Sequence, residues 1–315
     1  MLNDFVKEKF ERFAVKKKTK PISCVKNVYD DKDILPWEFK YGCLTEDERI
    51  KNLRDMDEFY FEPVQRAVNY ALTTKYMFDK IHIETVNYCN GKCTFCPINK
   101  INRKIQYMPD DVLERVLSEI KRIDFSGRVI MHGLNEPFVD PRASMIIRKI
   151  KEAAPNCKVQ VTTNGKLLSY EIFLEIKDLV DIMFINVYSD NLSIPSEIQK
   201  IIDFVNNNPK YLNVVTVFPR HDTDILCQHG SYGDCGRTKF ITLKTPCLNQ
   251  FSILTILHNG NVVPCLTDYE ERYVLGNVMK ESLEEIWYGD KFTKHRNLAA
   301  KGRYNCELCK NCDIF

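Results

Sequence analysis

The chain has 315 residues, 44% hydrophobic and 28% charged, a balance that supports a core of normal size in a globular protein. Lys and Arg total 45 and Asp and Glu 43, for a net charge of +2. That balance excludes the broad basic surface on which a general nucleic-acid binder depends.

In chain order, the first residues lack the apolar core of a signal peptide. The run Lys16-Lys17-Lys18-Thr19-Lys20 reads as a solvated stretch. Residues 46–59 and 62–73 read as helical, without strand–helix alternation. From residue 80 the pattern changes. Strands are predicted over 81–86, 128–131, 158–162, 182–187 and 212–218, and helices over 110–122, 142–153, 170–179 and 196–205. Strands alternating with helices imply parallel βαβ units, and five in about 140 residues fit a barrel or partial barrel. Chemistry in such folds sits at the C-terminal ends of the strands. Residues 221–245 read as a loop, and a smaller Cys-containing segment follows. No stretch of about 18 apolar residues suggests a membrane span, so the expected location is the cytoplasm.

Disulfides are rare in that compartment, yet the chain has 13 cysteines. Clustered cysteines there point to metal or catalysis. At the end of the first strand stands Tyr88-Cys89-Asn90-Gly91-Lys92-Cys93-Thr94-Phe95-Cys96-Pro97. Three thiolates at Cys-x3-Cys-x2-Cys spacing suit three corners of a [4Fe–4S] cubane and leave one iron open. Zinc is the alternative, but a structural zinc site is closed by four ligands, and the nearest histidine, His82, is badly placed for it. The second strand runs into His132-Gly133-Leu134-Asn135-Glu136-Pro137, the third ends in Thr162-Thr163-Asn164-Gly165, and the fourth carries Ile185-Asn186-Val187-Tyr188. A tight turn would account equally well for Asn135-Glu136-Pro137.

A second cluster comprises Cys247, Cys265, Cys306, Cys309 and Cys312. Asn259-Gly260-Asn261 between two apolar runs is a hairpin turn that would bring Cys247 and Cys265 to neighbouring strand ends. Four cysteines in two pairs also describe a zinc ribbon.

Together these motifs resemble the radical S-adenosylmethionine (SAM) superfamily, whose signature is Cys-x3-Cys-x2-Cys with an aromatic before the third Cys. The resemblance covers about residues 80–315. It implies an α/β fold, a partial (β/α)6 TIM-like barrel with a small C-terminal α+β auxiliary-cluster domain. The expected divisions are a mostly helical extension over 1–78, the barrel over 79–240 and the auxiliary domain over 241–315.

The resemblance further implies that Cys89, Cys93 and Cys96 hold a [4Fe–4S] cluster. SAM would bind its open iron, near Phe95, Asn135, Glu136, Pro137, Thr163, Asn164 and Asn186. Asn135 departs from the family pattern, which has Gly there, and Asn186 stands where Ser is frequent. One-electron cleavage of SAM would give a 5′-deoxyadenosyl radical that abstracts hydrogen from a substrate. The C-terminal segment resembles the SPASM/twitch extension. With five thiolates rather than seven, it implies one auxiliary [4Fe–4S] cluster on Cys247, Cys265, Cys309 and Cys312, with Cys306 as substitute. Cys227 and Cys235 are candidate hydrogen donors, against a simpler reading as idle thiols.

The expected substrate is a small polar or sugar-like molecule that is oxidised, epimerised or rearranged. A ribosomal peptide is the alternative substrate. The expected reductant is a flavodoxin or ferredoxin, and neither a membrane nor nucleic acid is an expected partner. A non-catalytic zinc or iron–sulfur binding protein is the alternative of another class.

Overall fold

The computed structural model describes residues 23–25, 46–93, 96–100, 104–222, 241–268 and 270–313. Phe95, Cys227 and Cys235 lie outside the described residues, as does the Lys16–Lys20 run.

The first described helix, α1 (Glu46–Thr73), runs unbroken through Pro63, where the sequence pattern suggested two helices. Proline inside a helix costs about 3 kcal/mol. Burial of Tyr60, Val64, Ala67, Val68 and Ala71 in one apolar cluster with Phe251 offsets that cost. Then follow β1 (Lys80–Ile83), α2 (Asp110–Arg122), β2 (Arg128–Met131), α3 (Ala143–Ala153), β3 (Lys158–Thr163), α4 (Tyr170–Ile176), β4 (Ile182–Tyr188), α5 (Ser196–Asn207) and β5 (Val215–Arg220). The C-terminal part adds α6 (Asn249–Ser252), β6 (Ile253–Ile256), β7 (Asn261–Val263), β8 (Gly276–Asn277), α7 (Leu283–Tyr288) and α8 (Asp290–Ala300).

Local chemistry sets several of these boundaries. Asp110 and Asp111 open α2 and Lys121 and Arg122 close it, each sign opposing the helix dipole. Ser169 caps α4 by accepting from Ile172 N. Ser282 and Glu285 form a capping box on α7.

The eight strands among the described residues lie in one sheet of order β5-β4-β3-β2-β1-β6-β7-β8. The first six in that order are parallel, and β7 and β8 are antiparallel additions. The sixth parallel strand is therefore β6, delivered from the C-terminal segment to the free edge of β1. Among the described residues no pairing joins β5 to β8, so the sheet is open. Val25 bridges the outer edge of β5 at Val217.

Ile81, Val129, Val159, Met183 and Val215 face the helices in the main core. By strand alternation, the opposite face carries Lys80, His82, Arg128, Gln160, Thr162, Asn186, Tyr188 and Arg220. The core does not stop at residue 241. Leu254, Val262, Leu283, Ile286 and Trp287 belong to the same cluster. Trp287 packs edge-on against Phe78 at 5.3 Å and donates Nε1–H to Tyr76 O at 2.9 Å.

Candidate active site

One cavity of about 250 Å³ opens at the C-terminal ends of β1 to β4. Cys89, Cys93 and Cys96 form one wall. His132 to Glu136 from the β2 end, Thr162 to Asn164 from the β3 end, and Asn186 and Tyr188 from β4 form the others, and Leu266 closes it. The sequence candidates Asn135, Glu136, Thr163, Asn164 and Asn186 thus meet the three thiols in one place. Pro137 stands just behind, buried, at the start of a 3₁₀ turn.

Glu136 organises this floor. Its carboxylate is buried, and Oε1 accepts from Thr163 Oγ1 at 2.6 Å and from Phe138 N at 3.2 Å. Oε2 accepts from Asn164 N at 2.7 Å. Burial pushes its pKa up, and these three donors oppose that rise. The Glu136 backbone N–H in turn donates to Tyr88 O at 3.1 Å, which ties the β2 end to the cysteine loop.

Asn164 reaches the loop from the other side. Its Nδ2 donates to Asn90 Oδ1 at 2.8 Å and lies 3.6 Å from Cys89 Sγ. Gly91 N–H donates to the same sulfur at 3.2 Å, and a Cβ at Gly91 would also stand 3.2 Å from it, so the tight approach favours glycine. Gly165 has φ +74°, the left-handed geometry that lets β3 turn away directly after Asn164.

Two of the residues lining this cavity carry a buried polar atom without a partner, Asn135 at Nδ2 and His132 at Nδ1. Asn135 Oδ1 is occupied, accepting from Gly133 N at 2.7 Å. Burial lowers the His132 pKa to about 4, so its ring is neutral near pH 7. Unpartnered buried donors are costly and mark where a polar ligand would be held. His82, by contrast, is committed elsewhere, with Nδ1 donating to His132 O at 3.0 Å. Burial raises the Cys89 pKa, and burial with the nearby Cys89 sulfur raises Cys93 to about 11. Among the described residues, no three Cys, His, Asp or Glu side chains converge on one point as a single ion requires.

Residues absent from the sequence candidates complete the site. His132, Thr162 and Tyr188 each adjoin a recognised motif, but no short pattern assigns them a role. Arg220 donates Nε–H to Asn186 Oδ1 at 3.0 Å, a contact made only by the β4–β5 register. Leu266, next to Cys265, carries no signal in the sequence at all.

The C-terminal thiols form a second group. Cys247 lies within electrostatic reach of Cys265 and Cys309, and Cys309 within that of Cys306 and Cys312. A hydrogen bond between the Cys306 and Cys309 side chains draws Cys306 down to about 7 and pushes Cys309 up, with burial adding to that rise. All five belong to the C-terminal region, with Cys306 in side-chain contact with Cys309.

Residues 83–238 match the radical SAM superfamily model, and residues 247–313 match an iron–sulfur cluster-binding domain known as SPASM. The chain belongs to the radical SAM superfamily. This radical SAM protein is an enzyme that uses SAM and a [4Fe–4S] cluster, with SPASM-type iron–sulfur binding besides. The non-catalytic alternative thereby falls. The chain is 26% identical to the S-adenosyl-L-methionine-dependent 2-deoxy-scyllo-inosamine dehydrogenase of Niallia circulans, an alignment spanning 75% of this chain and 93% of that one. It is 21% identical to a tungsten-containing aldehyde ferredoxin oxidoreductase cofactor-modifying protein of Pyrococcus furiosus, over 74% and 88% of the two chains. Among solved structures it resembles BtrN in complex with AdoMet and 2-DOIA, with a TM-score of 0.65, 23% identity and coverage of 75% and 93%. That likeness supports the fold. Among the described residues no helix is long and apolar enough to cross a membrane.

Proposed function

We propose that this radical SAM enzyme oxidises a small polar, sugar-like molecule, with Cys89, Cys93 and Cys96 holding the cluster that SAM approaches. The observation that carries the reading is one cavity lined by Cys89, Cys93 and Cys96 together with Asn135 and His132, whose Nδ2 and Nδ1 are buried without a partner. Held by Cys89, Cys93 and Cys96, such a cluster would supply the one electron needed to cleave SAM and so start hydrogen abstraction from the substrate.

The protein's own part is to position and to exclude water. Glu136 fixes the β3 end, Asn164 fixes the cysteine loop, and Asn135 donates from Nδ2 to a polar group of SAM. Pro137 holds the turn that presents them. On the polar face of the sheet, Asn186, Tyr188, Thr162 and Arg220 supply hydrogen-bonding groups of the kind a hydroxyl-rich substrate needs. The named activity of the Niallia relative, a dehydrogenase of an aminocyclitol-type substrate, favours the same class.

Cys247, Cys265, Cys309 and Cys312 hold one auxiliary [4Fe–4S] cluster, with Cys306 adjacent as substitute. Leu266, next to Cys265 in the chain, lines the cavity, which supports an auxiliary cluster that would take the second electron of an oxidation. A flavodoxin or ferredoxin supplies the first. A cytoplasmic setting suits such reductants. The described part of the N-terminal extension, α1, packs on the C-terminal segment through Phe251 and Leu248. That placement supports a small-molecule substrate over a peptide held by an N-terminal domain.

The test is anaerobic reconstitution with iron and sulfide, reduction by dithionite, and assay of 5′-deoxyadenosine with and without a panel of aminocyclitols. Substrate-dependent 5′-deoxyadenosine with a two-electron-oxidised product is expected. Cleavage of SAM with no panel member oxidised would overturn the substrate class, and no cleavage would overturn the cluster assignment.

A further inference from the structure

Oxidation of a hydroxyl-bearing carbon removes one hydrogen as an atom in the abstraction step. The hydroxyl proton must also leave, and it needs a base within reach of the substrate. Few groups in the cavity wall can serve. Its threonines, tyrosine and asparagines offer hydroxyls and amides, which are poor bases. Its three thiols are the proposed cluster ligands. Glu136 is a base by type, but both carboxylate oxygens are occupied. Oε1 accepts from Thr163 Oγ1 and Phe138 N, and Oε2 accepts from Asn164 N. Glu84 packs behind the wall residue Gly133, but it is only 2% exposed and lies 3.3 Å from His258 Nδ1.

His132 is the exception. It lines the cavity, and its Nδ1 is buried without a partner. Its backbone is fixed, because the His132 carbonyl accepts from His82 Nδ1 at 3.0 Å. The wall therefore holds an imidazole in place and leaves one of its polar atoms unmet. Such an atom costs stability, and a polar ligand in the cavity relieves that cost. Burial lowers the His132 pKa to about 4. Near neutral pH the ring is uncharged, and one of its nitrogens keeps a lone pair for a proton.

We propose that His132 is the catalytic base of the oxidation and takes the hydroxyl proton of the substrate on a ring nitrogen. This rests on the reading that the enzyme oxidises a sugar-like molecule. Abstraction breaks the C–H bond and leaves a carbon radical that still carries its hydroxyl. The O–H bond then breaks as C=O forms. The proton goes to His132, and the electron goes to an iron–sulfur cluster, the group that the C-terminal domain binds. Loss of the electron makes that hydroxyl strongly acidic, so a weakly basic ring suffices. The burial that keeps the ring neutral also favours release of the proton afterwards. The two unmet groups of the wall thus divide the work: Asn135 serves SAM in the reading above, and His132 serves the substrate.

The experiment uses the reconstituted full chain and 2-deoxy-scyllo-inosamine, the compound named for the Niallia relative, with deuterium on the carbon to be oxidised. Ketone and 5′-deoxyadenosine are read from the same reaction. His132→Gln keeps a hydrogen-bonding side chain but no base. Its ketone formed per 5′-deoxyadenosine should fall at least about tenfold, since a general base is worth about 10²–10⁴ in rate. Deuterium should still appear in the 5′-deoxyadenosine, because abstraction precedes the base. In His132→Gly, binding of the same aminocyclitol to the unreduced protein should weaken by up to about tenfold. Added imidazole should restore its ketone formation, which a loss of packing alone would not allow. If either variant fails to fold, the other carries the comparison. An unchanged ratio in both variants, or a loss confined to SAM binding and cleavage, overturns the inference. No ketone from the unaltered protein with this or any other aminocyclitol of the panel overturns instead the substrate reading, and the inference with it.

Discussion

Thr163 donates its hydroxyl to Glu136 Oε1 at 2.6 Å, across 27 residues of chain and between the ends of two neighbouring strands. With Asn164 N on the other carboxylate oxygen, the pair sets where β3 turns under the cysteine loop. Glu136→Gln keeps the size but turns one acceptor into a donor facing Thr163 or Asn164. A loss of about 1–3 kcal/mol in stability is expected from the buried donor left unmet. Thr163→Val, which leaves the carboxylate charged, should cost less. Denaturant unfolding of both variants checks the order.

Cys93→Ala should abolish 5′-deoxyadenosine formation and take iron from about eight to about four per chain. Changing Cys309 should leave SAM cleavage intact and impair product formation. Iron and sulfide analysis alongside the cleavage assay reads both. Loss of all iron in Cys93→Ala would mean that only one cluster exists.

Asn135 places an unpartnered Nδ2 at the cavity. Asn135→Gly gives the residue that the family resemblance leads one to expect there. SAM binding should weaken by up to about tenfold, the worth of one hydrogen bond. Stability should also fall, by about 1–3 kcal/mol, because the buried Gly133 N–H loses its acceptor, Asn135 Oδ1. Equilibrium binding of SAM to the reconstituted protein checks this, and unaltered affinity would remove Asn135 from the cofactor site.

Arg49 on α1 and Asp313 form an ion pair at 2.9 Å with side chains only 4% and 3% exposed. Removing one partner strands a buried charge, at about 3–5 kcal/mol. Arg49→Met should therefore lower thermal stability strongly, and Arg49→Met with Asp313→Leu should recover much of it. Calorimetry of the two holoproteins decides.

His295 is buried against Gln250 Oε1 at 2.9 Å, and burial, with Arg296 adding to it, lowers its pKa to about 4 from the ordinary 6.5. The folded state thus favours the neutral ring. Its contribution is complete above pH 6.5 and is lost as pH falls from 6.5 towards 4, at about 1.4 kcal/mol per unit. His295→Gln should flatten this part of the profile. Anaerobic urea unfolding of both proteins from pH 7.5 to 5.5 measures the difference.

The sequence by itself determined the alternation of strands and helices, because an apolar period of 3.6 or 2 is a local property. It bounded α2 and β2 at the residues observed, where charges and Pro109 mark the ends. It also located Cys89, Cys93 and Cys96 and the Glu136 and Asn164 turns, since each lies at a strand's C-terminal end. Only the tertiary structure decided that β6 joins the edge of β1, that Pro63 stays within one helix, and that Leu266 borders the cavity. It alone brought Arg49 to Asp313 and Arg220 to Asn186. Each of these pairings depends on long-range packing or sheet register, and a buried charge announces its counterion only when the chain has folded around both.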